Sequence, residues 1–335
     1  MATEQRTEEG VRTSGGPITA FTRWMENLSE AQYAYLLLIP ALLLLLVIAI
    51  YPLASTFLMS LSADALTGSA RLGEFVGFQN YVQLLTGQID FKFPAPFLPG
   101  GGTGFIQSAL GVTLVFTALS VLFETIIGFG QALILDQDFR GRRWVRVAII
   151  IPWAVPIVIQ GMIFFLMFQP NIGFLIGTAE NPTLLNSLGI STTPLRNTVD
   201  SLTLIIVADV WKTTAFMALL ILAGMQSIDR SLYDVAKVAG ASPWQQFKMI
   251  TFPLILPTIL VAMLFRTIAA MRVYGIIETM AGCSTVPSLS CLVVTTFNSR
   301  LYGTSATVAF VTAAIIAVVV SVYIFKFADA EGGAF

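Results

Sequence analysis

Six ionisable residues interrupt stretches that are otherwise apolar: Glu124, Asp209, Lys212, Arg266, Arg272 and Glu278. A charge at the centre of a hydrocarbon-spanning helix costs about 2.5–3.5 kcal/mol, so such groups face protein or a water-filled cavity and find partners there. Two chemistries fit them. With the aromatic faces of Trp211 and Tyr274, the polar groups of Asp209, Lys212, Arg266, Arg272 and Glu278 suit a pathway for a polyhydroxylated solute. The other reading is salt bridges between helices, or long side chains reaching the interface. Asp209 and Lys212 stand three apart, the spacing of a pair on one helix face. Arg272 and Glu278 are six apart and need other partners. Glu124, Gly128 and Ala132 recur every four residues, a ridge suited to helix packing more than to transport chemistry.

Other chemistries are disfavoured by composition. The chain has no histidine, which removes the commonest zinc ligand and the commonest general base. No paired-carboxylate or Ser–Lys motif stands out, and no metal site is expected. Cys283 and Cys291 lack the Cys-x-x-Cys spacing of metal or redox sites. They enclose a short loop containing Pro287, and both a disulfide and two free thiols fit that spacing.

The elements that must position these residues are membrane helices. Of 335 residues, 56% are hydrophobic and 11% charged, whereas a soluble domain carries about 25% charged residues. Six apolar runs, near 34–61, 108–135, 147–169, 202–227, 252–281 and 304–327, are long enough to cross about 30 Å of hydrocarbon. The segments between them are polar or broken, as at Gly100, Gly101 and Gly102 and at Pro170, Asn171 and Pro182. Residues 1–33 hold Glu4, Glu8, Glu9, Glu26 and Glu30 and no leading basic cluster, which predicts a retained tail before a first span.

Lys and Arg set the orientation. With the N-terminus inside, the inner segments hold eleven (Arg6, Arg12, Arg23, Arg140, Arg142, Arg143, Arg146, Arg230, Lys237, Lys248 and Lys326), and the outer ones hold four (Arg71, Lys92, Arg196 and Arg300). The expected fold is therefore an all-α integral membrane protein of six transmembrane helices with both termini cytoplasmic.

One polar interruption lies on the cytoplasmic side, within Ser231 to Pro257, SLYDVAKVAGASPWQQFKMITFPLILP. Ser231-x-x-Asp234 has the form of a capping box, and Gly240 suits the left-handed residue that ends a helix. Ser242-Pro243-Trp244-Gln245 is a second start signal, opening a short helix through Phe247, Lys248 and Ile250 before Pro253 and Pro257. An amphipathic loop on the lipid surface is one reading. Small residues at the bend, Ala236, Ala239, Gly240 and Ala241, favour close approach of a cytoplasmic protein instead.

Asp234, Val235, Ala236, Gly240, Ile250 and Pro253 resemble the cytoplasmic coupling (EAA) loop of binding-protein-dependent ABC importer permeases. Ala241, Ser242 and Trp244 match the form this loop takes in sugar permeases. Phe75-Val-Gly-Phe-Gln-Asn-Tyr81 and Arg146-Val-Ala-Ile-Ile-Ile-Pro-Trp153 with Pro156 are similar to segments of the same permeases. Val207-Ala-Asp-Val-Trp-Lys-Thr-Thr214 and Leu264-Phe-Arg-Thr267 resemble the trehalose/maltose-type members most closely, and the likeness runs from about residue 34 to the end. Departures exist: Asp234 stands for the usual Glu, Val235 for Ala, Ala239 for a common Asp, and Ala269 and Gly275 occupy positions that are often acidic. The coupling contact is thus expected to lack a second carboxylate.

The resemblance implies a permease subunit, not an enzyme, that moves a trehalose/maltose-like disaccharide or related carbohydrate through a prokaryotic cell membrane. ATP and Mg would be bound by two partner ATP-binding subunits. Lys212-Thr213 is preceded by Trp211 rather than Gly and is no P-loop. A second permease subunit and an extracellular or periplasmic sugar-binding protein complete the implied complex, with the lipid bilayer around it and no nucleic acid. Asp234, Ala236, Gly240, Ala241, Ser242, Trp244 and Phe247 would form the ATPase-coupling site. The implied organisation is a cytoplasmic tail over 1–33, a first transmembrane helix over 34–61 and an extracellular segment over 62–107. A permease core follows over 108–328, with its coupling loop at 228–251, and a C-terminal tail over 329–335. A secondary active transporter of a small polar solute is the alternative; it must explain the capped double helix and the lack of repeated halves.

Overall fold

Backbone groups inside hydrocarbon have no water to bond, so long apolar runs satisfy them internally as helices. The computed structural model of the protein describes residues 16, 24–25, 28–64, 71–88, 95–100, 104–170, 172–178 and 180–332. Glu4, Arg6, Glu8, Glu9, Arg12, Arg23, Glu26, Lys92, Gly101, Gly102 and Asn171 lie outside the described residues, as does the side chain of Lys326.

Contacts divide the chain into two units, Met1–Thr56 and Phe57–Phe335. The described residues of the first belong chiefly to helix α1, whose full extent is Glu30–Ser60. Ser29 caps it through a box with Gln32, accepting the Gln32 N–H at 3.3 Å while Gln32 accepts the Ser29 N–H at 3.0 Å. A π-turn over Leu46–Ile50 ends with Tyr51 N–H donating to Leu46 O, immediately before Pro52. The wider turn takes up the clash and the lost donor of the proline without a break.

The second unit contains α2 (Gln79–Thr86), α3 (Ala109–Asp136), α4 (Arg142–Ala154), α5 (Ile157–Met167) and α6 (Thr198–Gln226). It continues with α7 (Arg230–Val238), α8 (Pro243–Ala270), α9 (Gly275–Met280), α10 (Leu289–Asn298) and α11 (Tyr302–Gly332). Among the described residues five helices are long and apolar enough to span: α1, α3, α6, α8 and α11. The run expected as one span over 147–169 is instead α4 and α5, bent by 93°. Pro156 lacks an N–H and forces Val155 into an extended conformation, φ −69° and ψ 127°. Counting the bent pair as one gives the expected six. The fifth span starts earlier than expected: Pro243–Gln246 runs through a π-turn, Phe247–Thr251, into the apolar helix, again just before a proline, Pro253. It stops at Ala270, and α9 follows as a separate short helix rather than as the end of a span to 281. The last helix runs to Gly332, into the segment expected as a tail.

Helices α3 and α6 form the centre of the unit. Gly128 allows their close approach, because a Cβ there would lie 2.8 Å from Met217 Cβ and 3.0 Å from the Ala218 nitrogen. Toward one end the core holds Val112, Phe116, Phe164, Ile205, Ile276 and Ile277; toward the other it holds Leu135, Ile221, Met225, Ile255 and Ile259. At the first residues of α11, Asp64 accepts the N–H groups of Gly303 (2.6 Å) and Thr304 (2.9 Å), satisfying two of the four donors that a helix start leaves open. Asp64→Ala is expected to cost about 0.5–2 kcal/mol, the scale of a lost cap. Thermal unfolding of the purified protein checks this, and a midpoint equal to wild type would remove the capping role.

Candidate functional site

The charged residues separate into groups the linear sequence does not distinguish. Arg266, from α8, reaches carboxylates on two other helices. Its Nε donates to Glu124 Oε2 at 2.5 Å and its Nη2 to Glu124 Oε1 at 2.9 Å, on α3. The same Nη2 donates to Asp209 Oδ2 on α6. Thr213, one turn from Asp209, adds a bond from its hydroxyl to Glu124 Oε1 at 2.7 Å. All three side chains are buried, so the guanidinium and the two carboxyl groups depend on one another rather than on bulk solvent. Glu124 is therefore more than part of the packing ridge; Gly128 and Ala132 below it do the packing.

Asp209 is engaged by Arg266 rather than by Lys212 at i+3. The Lys212 ammonium instead donates to the Val155 carbonyl, at the break between α4 and α5. That carbonyl is one of those a helix end leaves without an intrahelical donor. Beside it Trp211 packs edge-on against Phe164, with ring centroids 5.5 Å apart. Tyr274 is half-buried and Arg272 exposed.

Glu278 lies elsewhere. With Phe165, Gln169, Arg196, Met280 and Gly282 it borders an open cleft of about 590 Å³ at the ends of α5 and α9. Glu278 Oε2 also accepts the Cys283 N–H at 3.1 Å. Cys283 and Cys291 are bonded through their Sγ atoms, with Cα atoms 5.5 Å apart, and hold the loop that follows this wall.

The polar interruption is a pair of helices meeting at Gly240, whose φ of +80° favours glycine. The first begins at Asp229 rather than Ser231: Asp229 Oδ1 accepts the Ser231 N–H at 2.9 Å. That bond holds the Asp229 carboxyl below the usual carboxylate range. Ile228 and Tyr233 pack on the same core cluster, a staple across the cap that sets where the helix starts. The Ser242 box forms as the sequence predicts, with Ser242 N–H to Gln245 Oε1 at 2.7 Å and Gln245 N–H to Ser242 Oγ at 3.3 Å.

The outer surface of this pair is apolar where solvent would favour charge. Val238 is 92% exposed, Met249 75%, and Val235 and Trp244 69% each. Asp234 and Ser242 are exposed, while Ala236 and Ala241 are half-buried at the bend. Phe247 points inward, between Trp244 at 5.3 Å and Phe129 of α3 at 5.8 Å.

Sequence reasoning left Thr213 and the Arg266–Glu124 link unassigned. A usable signal was present in α3: Thr113, Thr117, Ser120 and Glu124 recur at spacings of four, three and four, a polar stripe in an apolar helix. All four are buried, and the Thr117 and Ser120 hydroxyls have no hydrogen-bond partner among the described residues.

The family model described as binding-protein-dependent transport system inner membrane component matches residues 124–329. The trehalose/maltose transport system permease protein MalF of Thermococcus litoralis is 35% identical over 287 residues, covering 84% of this chain and 89% of that protein. The sulfoquinovosyl glycerol transport system permease protein SmoG of Agrobacterium fabrum is 34% identical over 273 residues, 81% of each chain. A solved chain of a bacterial ABC transporter involved in the import of the acidic polysaccharide alginate shares the fold, with a TM-score of 0.71 at 20% identity, over 92% of this chain and 99% of that one.

Proposed function

This chain belongs to the family of binding-protein-dependent transport system inner membrane components, and we propose that its cargo is a disaccharide of the trehalose or maltose class. As a member it is a multi-pass inner-membrane permease subunit of an ABC importer, with ATP hydrolysis in partner subunits and no cofactor of its own. A secondary transporter is thereby set aside. The 35% identity to a trehalose/maltose permease supports the cargo; the 34% identity to a sulfoquinovosyl glycerol permease supports a carbohydrate more broadly.

The observation that carries the coupling role is the capped, glycine-hinged helix pair with an exposed apolar face. Asp234, Ala236, Gly240, Ala241, Ser242 and Trp244 present it to the ATPase, and Phe247 braces it from behind. Asp209, Trp211, Lys212, Arg266, Arg272, Tyr274 and Glu278 are the candidate pathway groups. Of these, Arg272, Tyr274 and Glu278 retain exposure for a hydroxylated solute, while Asp209 and Arg266 are committed to each other. One such chain supplies half a pathway, so a second permease subunit, two ATP-binding subunits and a sugar-binding protein complete the importer.

Reconstitution of the importer with its binding protein, assayed with labelled trehalose and maltose, tests the cargo; uptake of neither removes that reading. Gly240→Asp tests the docking. No described residue beyond the chain neighbours lies within 4 Å of an added Cβ, so the fold accommodates the side chain at the modest backbone cost of a left-handed non-glycine residue. The expected result is a folded subunit that no longer retains the ATPase subunits on purification, or that uncouples ATP hydrolysis from uptake. Wild-type retention and uptake would count against this loop as the docking site.

A further inference from the structure

Two charged residues occupy helix ends that disfavour them. Asp136 is the last residue of α3, where the helix dipole is already negative, and Arg230 is the first residue of α7, where it is positive. They face each other in a two-pronged pair, Arg230 Nη2 to Asp136 Oδ1 at 2.9 Å and Nη1 to Oδ2 at 3.3 Å. The Asp136 side chain is 9% exposed, while that of Arg230 is 64% exposed and reaches in to it from the surface. Neither charge serves its own helix. Each serves the contact.

We propose that the Arg230–Asp136 pair is the positioning link through which movement of the coupling loop is delivered to α3. The loop needs no such device to move α8, because α8 continues from it covalently and Tyr233 is tied to Thr251 at its base, hydroxyl to hydroxyl at 2.9 Å. Helix α3 is 94 residues away from Arg230 along the chain and is reached across space, by this pair, by the Phe247–Phe129 contact and by the apolar cluster that joins Ile228 and Tyr233 to Ala132 and Leu135. A planar guanidinium holding both carboxylate oxygens transmits direction as well as distance, which a point charge or an apolar contact does not. Movement of α3 in turn carries Glu124, and with it Arg266 of α8. The loop thus acts on the buried ion cluster from two helices at once.

This inference rests on the loop being the ATPase docking site, and its test separates the two. The complete importer is reconstituted with Arg230→Asp, with Asp136→Arg, and with both. Three readings are taken: ATPase subunits retained on purification, ATP hydrolysis in the presence of loaded binding protein, and sugar moved per ATP. Each single variant is expected to retain its ATPase subunits and to lose a factor of about 5 or more in sugar per ATP, the lower range of coupling between sites. The double exchange is expected to recover most of that loss, as for residues whose effects are not additive. Wild-type sugar per ATP in the single variants, or a double exchange no better than either single, overturns the link. Loss of the ATPase subunits in the single variants also overturns it, because the residues then belong to the docking surface. Failure of the docking reading is reported separately, by Gly240→Asp.

Discussion

Arg266→Ala is expected to destabilise the subunit by about 3–5 kcal/mol, the cost of leaving buried charge without its partner. The side chain removed is the cation that the structure places against both Glu124 and Asp209. Lys212, the nearest other cation to Asp209 along the chain, has its ammonium bound to the Val155 carbonyl instead. Two buried carboxylates would then face each other across α3 and α6, with the Thr213 hydroxyl bonded to Glu124 and to the Asp209 backbone carbonyl but not to the Asp209 carboxylate. Thermal unfolding of the purified subunit should show a large loss of midpoint or of folded yield. An unchanged midpoint would mean that water already reaches the cluster and screens it. The neutral triple variant Glu124→Gln, Asp209→Asn, Arg266→Met separates packing from transport. It removes every charge together, an exchange that is often neutral for stability, and so is expected to fold. Uptake that stays low in this folded triple would assign the cluster a role in transport beyond holding α3, α6 and α8 together.

How much of this was legible beforehand differs by residue. The second cap of the coupling loop was fully readable, because a capping box is local: Ser242 and Gln245 need only each other. The first cap was readable in kind but not in register. Ser231-x-x-Asp234 and Asp229 compete as starts, and the choice is made by burial of Ile228 against the bundle, a tertiary contact. Prolines show the same limit. Pro52 and Pro253 follow π-turns and leave their helices continuous, while Pro156 ends one. What distinguishes Pro156 is that Lys212, 57 residues from the freed Val155 carbonyl, satisfies it. The hydropathy of 147–169 contains no trace of that partner.

The ion cluster was the least legible. Residues 142 and 57 apart, Glu124 and Asp209 relative to Arg266, carry no spacing that would pair them. The sequence could say that intramembrane charges need partners. It offered Lys212 as the near candidate for Asp209, and the helix packing selected Arg266 instead.

That packing depends on a single missing methyl group, which makes Gly128→Ala the sharper of two matched substitutions. On α3 a Cβ at position 128 would meet Met217 Cβ at 2.8 Å, the Ala218 nitrogen at 3.0 Å and the Thr214 carbonyl oxygen at 3.2 Å. Two of these are backbone atoms of α6 and cannot turn aside, so the helices must separate. Overpacking of this kind costs typically about 1–3 kcal/mol. Here it also strains the reach of Arg266 to Glu124, one helical turn away. Two residues on, a Cβ at Gly130 meets none of the described residues within 4 Å, and Gly130→Ala gains the helix propensity of alanine, about 1 kcal/mol. The same change on one helix is therefore expected to lower the unfolding midpoint at 128 and to hold or raise it at 130. If both variants moved the midpoint alike, the α3–α6 contact would not lie at Gly128, and the route by which Glu124 reaches Arg266 would have to be redrawn.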